Sequence, residues 1–338
     1  MKHKPLIAIT MGDPAGSGPE AILKALKHRA LWKLARFIIV GDLKVLNKAR
    51  EIVKADNIDF ILTEDPDKFD INKDFAVGVI DLNNVNLEKL AYGRPSVIGG
   101  KAAYEYIVTA VRYAIQNKVH AIMTAPISKE SLNMAGYKYP GHTELLAELT
   151  EAKEVIMMLI AKSLRVSHVT THVSLKKAIE LIKKDRILRT IELTYDALIN
   201  LFKITNPKIA VAGLNPHAGE SELFGDEEIK EILPAIQEAH SKGIEVTGPY
   251  SPDSVFFRAY HNREFDAVIA MYHDQGHIPI KMIGFLEGIN LTLGLPIIRT
   301  SPDHGTAWDK AGKGTVNERA TIEALRIASI LARAKISE

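Results

Sequence analysis

The chain contains no cysteine, no long apolar run and no block of like charge. Without cysteine there can be no disulfide, thiolate metal site or cysteine nucleophile, so any metal ion must be bound by histidines and carboxylates. No apolar run is long enough to span a bilayer, and the opening MKHKPLIAIT has too short an apolar segment for a signal peptide. We therefore expect a soluble cytoplasmic protein that does not bind a membrane.

Charges of the two signs are nearly balanced, with 43 Lys and Arg against 41 Asp and Glu, and the basic residues are scattered among acidic ones. A nucleic-acid groove or a contact with anionic lipid would need clustered basic residues, so neither partner is expected. An anionic ligand would instead have to be bound at a local site. The length of 338 residues favours one large unit or two lobes.

Short apolar runs rich in Ile, Val and Ala recur, and each ends in a cluster of Gly, Pro, Asn, Asp or His before a helical pattern. This pattern is typical of strands buried on both faces of a mostly parallel sheet, so the predicted fold class is α/β. The predicted strands are PLIAIT, FIIVGD, HAIMTAP, VIMMLI, RVSHVTTH, KIAVAGLNPH and FDAVIAMYH. The predicted helices are 17–29, 101–117, 142–151, 175–203, 226–242 and 315–335.

No linker of low complexity separates the two halves of the chain, so two lobes would have to share strands through chain crossings. The loop AGYKYPGH and the irregular stretch after MIGFLEG place the boundaries near residues 140 and 290. The first α/β lobe would then comprise residues 1–140 and 290–338. The second would comprise residues 141–289.

Three of the predicted strands are each followed by a histidine, namely His172, His217 and His273. Ligands in open α/β sheets bind beyond the carboxyl ends of the strands, so equivalent positions favour one shared site. Neutral imidazoles brought together there would bind a divalent metal and leave positions open for substrate or water. A single histidine would more often be a structural, hydrogen-bonded ring, and His168, inside its strand, is interpreted as a core residue.

A second group of residues is suited to an anion. Lys281 and Arg299 each follow directly after an apolar segment, where a cation is costly unless it faces a carboxylate or a phosphate. After His273 the chain is expected to turn through Gly276 and Pro279 and so present Lys281 to the anion. His142 and Thr143 open a predicted helix, where Thr143 could cap free N–H groups that also favour an anion. Salt bridges to nearby acids are the alternative for the two cations. The loop MGDPAGSGPE could approach a phosphate closely or could be a tight strand-to-helix turn.

Long motifs spread over the whole chain resemble those of the 4-hydroxythreonine-4-phosphate dehydrogenase (PdxA) family. They are MGDPAGSGPE, YPGHTELLAELT, TTHVSL, GLNPHAGE, DSVF, MYHDQGHIPIK and GINLTLGLPIIRTSPDHGTAWDKAGKG. The resemblance implies a two-lobed α/β/α subunit similar to isocitrate and isopropylmalate dehydrogenases, with the active site in the cleft between lobes. It also implies a homodimer in which one metal ligand comes from the partner.

The resemblance assigns the same three histidines, His172, His217 and His273, to one divalent ion, for which zinc, magnesium, cobalt or manganese are candidates. It assigns substrate contacts to His142, Thr143, Lys281, Asn290 and Arg299, and less firmly to Asp253. His142 and Lys281 are the candidates for the catalytic proton acceptor. Contacts with the cofactor, NAD or NADP, are expected from Asn215, Gly219, Leu295 and Asp303.

The implied reaction is oxidation and decarboxylation of a phosphorylated four-carbon hydroxy acid. One branch of the family acts on 4-phosphooxy-L-threonine in vitamin B6 synthesis, and another acts on D-threonate or D-erythronate 4-phosphate and gives dihydroxyacetone phosphate. YPGHTELLA, FGDEE and His277 resemble the second branch, which is slightly favoured. Two other classes would also use these residues: a metal-dependent hydrolase of a phosphorylated molecule, and a phosphate-binding protein with a structural metal.

Overall fold

The computed structural model describes residues 4–336, which divide into two compact units. Unit 1 comprises residues up to Val155 and from Leu295 onward, and unit 2 comprises Ile156–Gly294. The sequence placed the boundaries between the lobes near residues 140 and 290. In the structure the first boundary lies later in the chain, because the helix that begins at His142 packs in unit 1. The second boundary also lies later, because the strand containing Asn290 pairs within unit 2.

Unit 1 is built on six parallel strands in the order β3-β4-β2-β1-β5-β12. The strands are β1 (Leu6–Thr10), β2 (Arg36–Gly41), β3 (Asp59–Leu62), β4 (Ala76–Asp81), β5 (Ala121–Thr124) and β12 (Arg299–Pro302). The helices are α1 (Gly18–Leu26), α2 (Arg29–Trp32), α3 (Leu43–Val53), α4 (Val97–Ile115), α5 (Lys129–Met134), α6 (His142–Leu149) and α12 (Arg319–Ile336).

Unit 2 contains the strand order β11-β6-β7-β10-β8-β9, in which β6 is antiparallel to both neighbours and the rest are parallel. The strands are β6 (Ile156–Ala161), β7 (Leu164–His168), β8 (Ile209–Ala212), β9 (Val246–Tyr250), β10 (Ala267–Ala270) and β11 (Ile289–Leu293). The helices are α7 (Leu175–Leu181), α8 (Lys184–Asn200), α9 (Leu233–Ser241), α10 (Val255–Tyr260) and α11 (His273–Gly284), and a π-helical turn, Glu228–Ile232, precedes α9.

The central strands of unit 2 bury both of their faces. In β10, Ile269 packs into an apolar cluster with α8 and α9, whereas its neighbours Val268 and Ala270 pack into a second cluster with α10 and α11. Side chains alternate across a strand, so a run such as AVIA must be apolar throughout when helices cover both faces. The predicted α/β class, with a mostly parallel sheet, is confirmed.

Two predictions about helices need correction. The predicted helix 175–203 is two helices, because the chain leaves the helical conformation at Ile182 and Lys183 before α8 begins. The segment after β10 was expected to turn through Gly276 and Pro279, but it is the helix α11, with Pro279 inside it. Among residues 4–336, no helix combines the length and the apolarity that crossing a membrane requires.

Candidate functional site

The three predicted metal-binding histidines follow three neighbouring strands of unit 2. Strands β7, β10 and β8 lie side by side and run parallel, so their carboxyl ends share one edge of the sheet. His172 and His217 come shortly after β7 and β8, and His273 begins α11 directly after β10. The topology therefore gives these histidines the equivalent positions that the sequence predicted.

His172 and His273 are close neighbours. Their ring centroids are 5.5 Å apart, and both side chains line one surface hollow with Tyr272 and Asp274. The Nδ1 atom of His273 is 2.6 Å from Oδ1 of Asp274. A carboxylate at Nδ1 favours the tautomer that carries its proton there, which leaves Nε2 of His273 as the atom able to bind a metal.

His217 lies in the turn Pro216–Gly219, exposed, with its ring 6.3 Å from the ring of Phe224. Its backbone is in the left-handed region, with a φ of 52°, which is uncommon for any residue other than glycine. Within residues 4–336, no three His, Asp or Glu side chains are grouped closely enough to bind one ion. The pair formed by His172 and His273 is thus the part of the predicted site that the single chain brings together.

His277 connects the site to the core of unit 2. Its ring stacks on that of His273 at 3.5 Å between centroids, its Nδ1 is 2.9 Å from the carbonyl oxygen of His273, and it is 8% exposed. On its other side lies His168, 4.8 Å away between centroids and 1% exposed, as expected for a core residue. Stacking of His277 within the first turn of α11 therefore restrains the ring of His273.

Arg299 and His142 are neighbours in unit 1. Arg299 begins β12, is 1% exposed, and donates from Nε and Nη2 to Oγ1 of Thr124 at 3.1 and 2.7 Å. Burial lowers its pKa to about 9, so the guanidinium keeps its charge at neutral pH. Burial, followed by the charge of Arg299, holds the pKa of His142 well below its ordinary value. His142 is therefore a neutral imidazole at neutral pH.

The helix α6 begins at His142, and its N-cap is Gly141, which supplies no capping side chain. The prediction that Thr143 caps this helix is therefore wrong, because Thr143 lies within the first turn. The free N–H groups of this turn remain a favourable place for an anion. Nε2 of His142, in the same turn, is buried and has no hydrogen-bond partner within residues 4–336.

Three other predicted substrate residues lie in unit 2. Lys281 is on α11, with its Nζ 5.5 Å from the ring centroid of Phe285. Asn290 is in β11, and its Oδ1 is buried with no hydrogen-bond partner in the described part of the chain. A buried amide oxygen without a partner is costly, which is consistent with a ligand contact. Asp253 is exposed before α10 and accepts from Oγ of Ser251 at 2.6 Å.

The predicted cofactor residues fall in separate units. Asn215 and Gly219 flank His217 in unit 2, and Leu295 and Asp303 follow β11 and β12 in unit 1. Gly219 has a φ of 82° and is buried, so its turn needs a residue without a Cβ.

The glycines of MGDPAGSGPE are explained by packing. All residues of this loop are buried. A Cβ at Gly12 would collide with the carbonyl oxygen of Pro126, and one at Gly18 would lie 2.7 Å from that of Met11. The tight strand-to-helix turn, the second of the two interpretations, therefore accounts for these glycines.

Two buried polar residues at the histidine edge were missed in the sequence. Gln275 accepts from the N–H of Met271 at 2.7 Å and donates to the carbonyl of Gly213 at 2.8 Å, which ties the end of β10 to the end of β8. Glu228 is 2% exposed and accepts from the backbone before His217. A signal for Glu228 was present, because it shares the apolar stripe of Ile232, Ala235, Ile236 and Ala239.

Comparison with known proteins decides the family. The family model described as "Pyridoxal phosphate biosynthetic protein PdxA" matches residues 33–328. The chain belongs to this family. The predicted resemblance is thereby confirmed, and individual relatives match along nearly the entire length of the chain.

Curated relatives carry the names of both predicted branches. A protein of Oceanobacillus iheyensis, provisionally named a D-threonate 4-phosphate dehydrogenase, is 51% identical over 99% of this chain and 100% of its own. The 4-hydroxythreonine-4-phosphate dehydrogenase of Desulforapulum autotrophicum is 44% identical over 98% of this chain and 96% of its own. These names describe oxidoreductases and offer no support for the hydrolase alternative.

Solved structures agree with this placement. The 4-hydroxythreonine-4-phosphate dehydrogenase of Klebsiella pneumoniae has a TM-score of 0.89 and 41% identity, covering 98% of this chain and 100% of its own. That of Burkholderia phymatum has a TM-score of 0.86 and 46% identity, covering 98% and 99%. The α/β architecture described above is that of the PdxA proteins.

Proposed function

We propose that this PdxA-family chain is an NAD(P)-dependent, divalent-metal-dependent dehydrogenase that oxidises and decarboxylates a phosphorylated four-carbon hydroxy acid. The observation that carries the proposal is the pair His172 and His273, with ring centroids 5.5 Å apart at the carboxyl edge of the sheet, in a chain that matches named dehydrogenases over nearly its full length. D-Threonate or D-erythronate 4-phosphate is favoured over 4-phosphooxy-L-threonine, because the relative at 51% identity carries the D-threonate name.

The donor set fits a divalent ion in its chemistry. His172, His217 and His273 are imidazoles at one sheet edge, and the carboxylate of Asp274 at Nδ1 of His273 is a usual partner of a metal-binding imidazole. We propose these three histidines as ligands, one of them reaching the ion from a second copy of the chain. When bound, the ion would polarise the substrate hydroxyl and stabilise negative charge as the carboxylate leaves.

The remaining chemistry falls to the chain's own side chains. His142 is the proposed acceptor of the hydroxyl proton as hydride passes to the nicotinamide, because its Nε2 is buried and has no hydrogen-bond partner in the described part of the chain. Lys281 is the alternative acceptor. Arg299 and the first turn of α6 provide positive potential for a substrate phosphate or carboxylate in unit 1, and Lys281 and Asn290 provide polar contacts in unit 2.

A homodimer is part of the proposal. Helix α11, which begins with His273, and the residue that follows it expose an apolar face, with Ile278 60% exposed, Met282 82% and Phe285 72%. Neighbouring exposed apolar side chains on one helix mark an interaction surface more often than a solvated one. A second copy covering this face would meet the chain beside the proposed ligand His273.

The test is a comparison of substrates by absorbance of the reduced cofactor. Purified protein with Mn²⁺, Co²⁺ or Zn²⁺ and NAD or NADP is given D-threonate 4-phosphate, D-erythronate 4-phosphate and 4-phosphooxy-L-threonine in turn. We expect the highest kcat/KM with one of the two sugar-acid phosphates. If none of the three yields reduced cofactor, the dehydrogenase assignment is refuted, and release of inorganic phosphate instead would favour the hydrolase.

A further inference from the structure

The turn that carries His217 is held in an unusual backbone conformation. Six consecutive residues, His217 to Glu222, have positive φ values between 41° and 82°, and five of them are not glycine. A left-handed residue is disfavoured by contact between Cβ and the following carbonyl, so such a run persists only where surrounding contacts impose it. The contacts directly ahead of the run are made by a buried carboxylate.

The carboxylate of Glu228 binds the residues just ahead of this run. Its Oε1 accepts from the N–H groups of Leu214 and Asn215 at 2.7 and 2.8 Å, and its Oε2 accepts from Nδ2 of Asn215 at 2.9 Å. The side chain is 2% exposed, so water cannot substitute for these partners. Carboxylate bonds to backbone N–H groups are among the stronger hydrogen bonds in proteins, particularly where solvent is excluded.

The surrounding glycines allow the carboxylate to come this close. A Cβ at Gly219 would lie 2.9 Å from Oε2 of Glu228, and a Cβ at Gly213 would lie 2.8 Å from Cα of Ala218. Glu228 opens a π-helical turn before α9, and single π-helical turns are frequent at functional sites. Here that turn directs a carboxylate from the apolar stripe of the helix toward the His217 turn.

A second connection links this turn to the other histidines. Gln275 donates to the carbonyl of Gly213, the residue next to Leu214, and accepts from Met271 ahead of His273. Glu228 and Gln275 thus bind consecutive residues of one segment, and Gln275 belongs to the first turn of α11. This short path joins the segment ahead of His217 to the end of the strand that precedes His273.

We propose that Glu228 is a positioning residue that holds the His217 turn in the orientation required for metal binding. This inference rests on the proposed function, because it takes His217 as a ligand. It goes beyond that function in assigning a role to a residue that need not touch metal, substrate or cofactor.

The test uses Glu228→Gln in the full-length protein, freed of metal with a chelator. Glutamine keeps the size and one acceptor oxygen, but it places an amide donor where Nδ2 of Asn215 also donates. Glu238→Gln is the matched control, because it removes one carboxylate from α9 that pairs with the surface lysines Lys184 and Lys242. Amide hydrogen exchange over residues 213–222 and calorimetric titration with Co²⁺ are measured on each protein.

We expect Glu228→Gln to speed amide exchange at Leu214 and Asn215 and to raise the Kd for Co²⁺ by ~10- to 100-fold, the range usual for residues that support a metal ligand. Glu238→Gln should leave both within about twofold of the wild type, since it touches no part of the turn. Should Glu228→Gln fail to fold, Glu228→Asp is used instead, because its shorter side chain keeps the charge but moves the oxygens away from the N–H groups of Leu214 and Asn215. Amide exchange and the Kd for Co²⁺ should again both increase.

The outcomes separate the two proposals. If the wild type binds Co²⁺ and Glu228→Gln binds it with an unchanged Kd, the positioning role is overturned while the proposed function stands. Unchanged amide exchange in Glu228→Gln overturns it equally. If the wild type binds no divalent ion, the proposed metal site fails, and the positioning role fails with it.

Discussion

Gly276 lies where α11 packs against β7, and replacing it with alanine should loosen the helix that carries His273. The added Cβ would collide with Nε2 of His168 and would lie 2.8 Å from Cγ1 of Val166. Because His168 and Val166 are 1% and 0% exposed, neither can yield to solvent, and the helix must move instead. Such overpacking costs up to about 3 kcal/mol.

Part of that cost is offset, because alanine is better than glycine in a helix by about 1 kcal/mol. A net loss of about 2 kcal/mol remains, which should lower the melting temperature by about 4–8 °C in a protein unit of this size. Displacing α11 also moves His273 and Lys281 together. A displacement of about 1 Å can cost ~100-fold in rate, so kcat/KM should fall more than the fraction of folded protein does.

The assay is thermal unfolding followed by steady-state kinetics at a temperature where both proteins are folded. Gly305→Ala is the stability control, because a Cβ at Gly305 would meet no atom within 4 Å and its φ is not in the left-handed region. It should melt at or slightly above the wild-type temperature. If Gly276→Ala melts at the same temperature as Gly305→Ala, the packing argument for Gly276 is refuted.

Three further predictions concern neighbouring residues. Burial, and then His277, lowers the pKa of His168 from 6.5 to about 3. The unfolded chain therefore binds more protons between these two pH values, so the free energy of unfolding should fall by ~1.4 kcal/mol per pH unit as the pH drops from 6.5 toward 3. Denaturant unfolding at about pH 7.5 and about pH 5.5 should show a smaller loss of stability in His168→Gln than in the wild type. An equal loss in the two proteins would contradict this prediction. Asp274→Asn should raise the Kd for Co²⁺ ~10-fold, because it weakens the hydrogen bond that orients the ring of His273. Calorimetric titration of the metal-free protein measures this Kd, and an unchanged value would contradict the prediction. His277→Leu removes the stack on His273 and should shift kcat/KM away from the sugar-acid phosphates and toward 4-phosphooxy-L-threonine; an unaltered ratio would count against His277 as a mark of substrate branch.

The local sequence pattern was sufficient to recognise a strand where a single physical requirement, burial of both faces, determined its residue types. A strand covered on both faces must be apolar throughout, which is why LIAIT and AVIA were recognisable as strands. Less regular strands escaped detection. Strand β3 reads DFIL and lies at a sheet edge with its ends exposed, so it lacks a buried apolar run.

The local pattern after β10 was misread for a similar reason. Gly276 and Pro279 both disfavour helix interiors, and a turn was the natural prediction for HDQGHIP. In the structure the glycine is needed because His168 lies against it, a contact between residues more than a hundred positions apart. Tertiary packing therefore outweighed the local preference.

The sequence by itself determined the fold class, the family and the three histidines at equivalent strand ends, because each of these depends on patterns local in the chain or repeated along it. Tertiary structure alone decided which histidines are neighbours, that Nε2 of His142 is buried near Arg299, and that Glu228 binds the backbone just ahead of the His217 turn. These facts depend on strand order and on close approach between distant segments. Spacing along a chain carries no information about the distance across a sheet edge until the order of the strands is known.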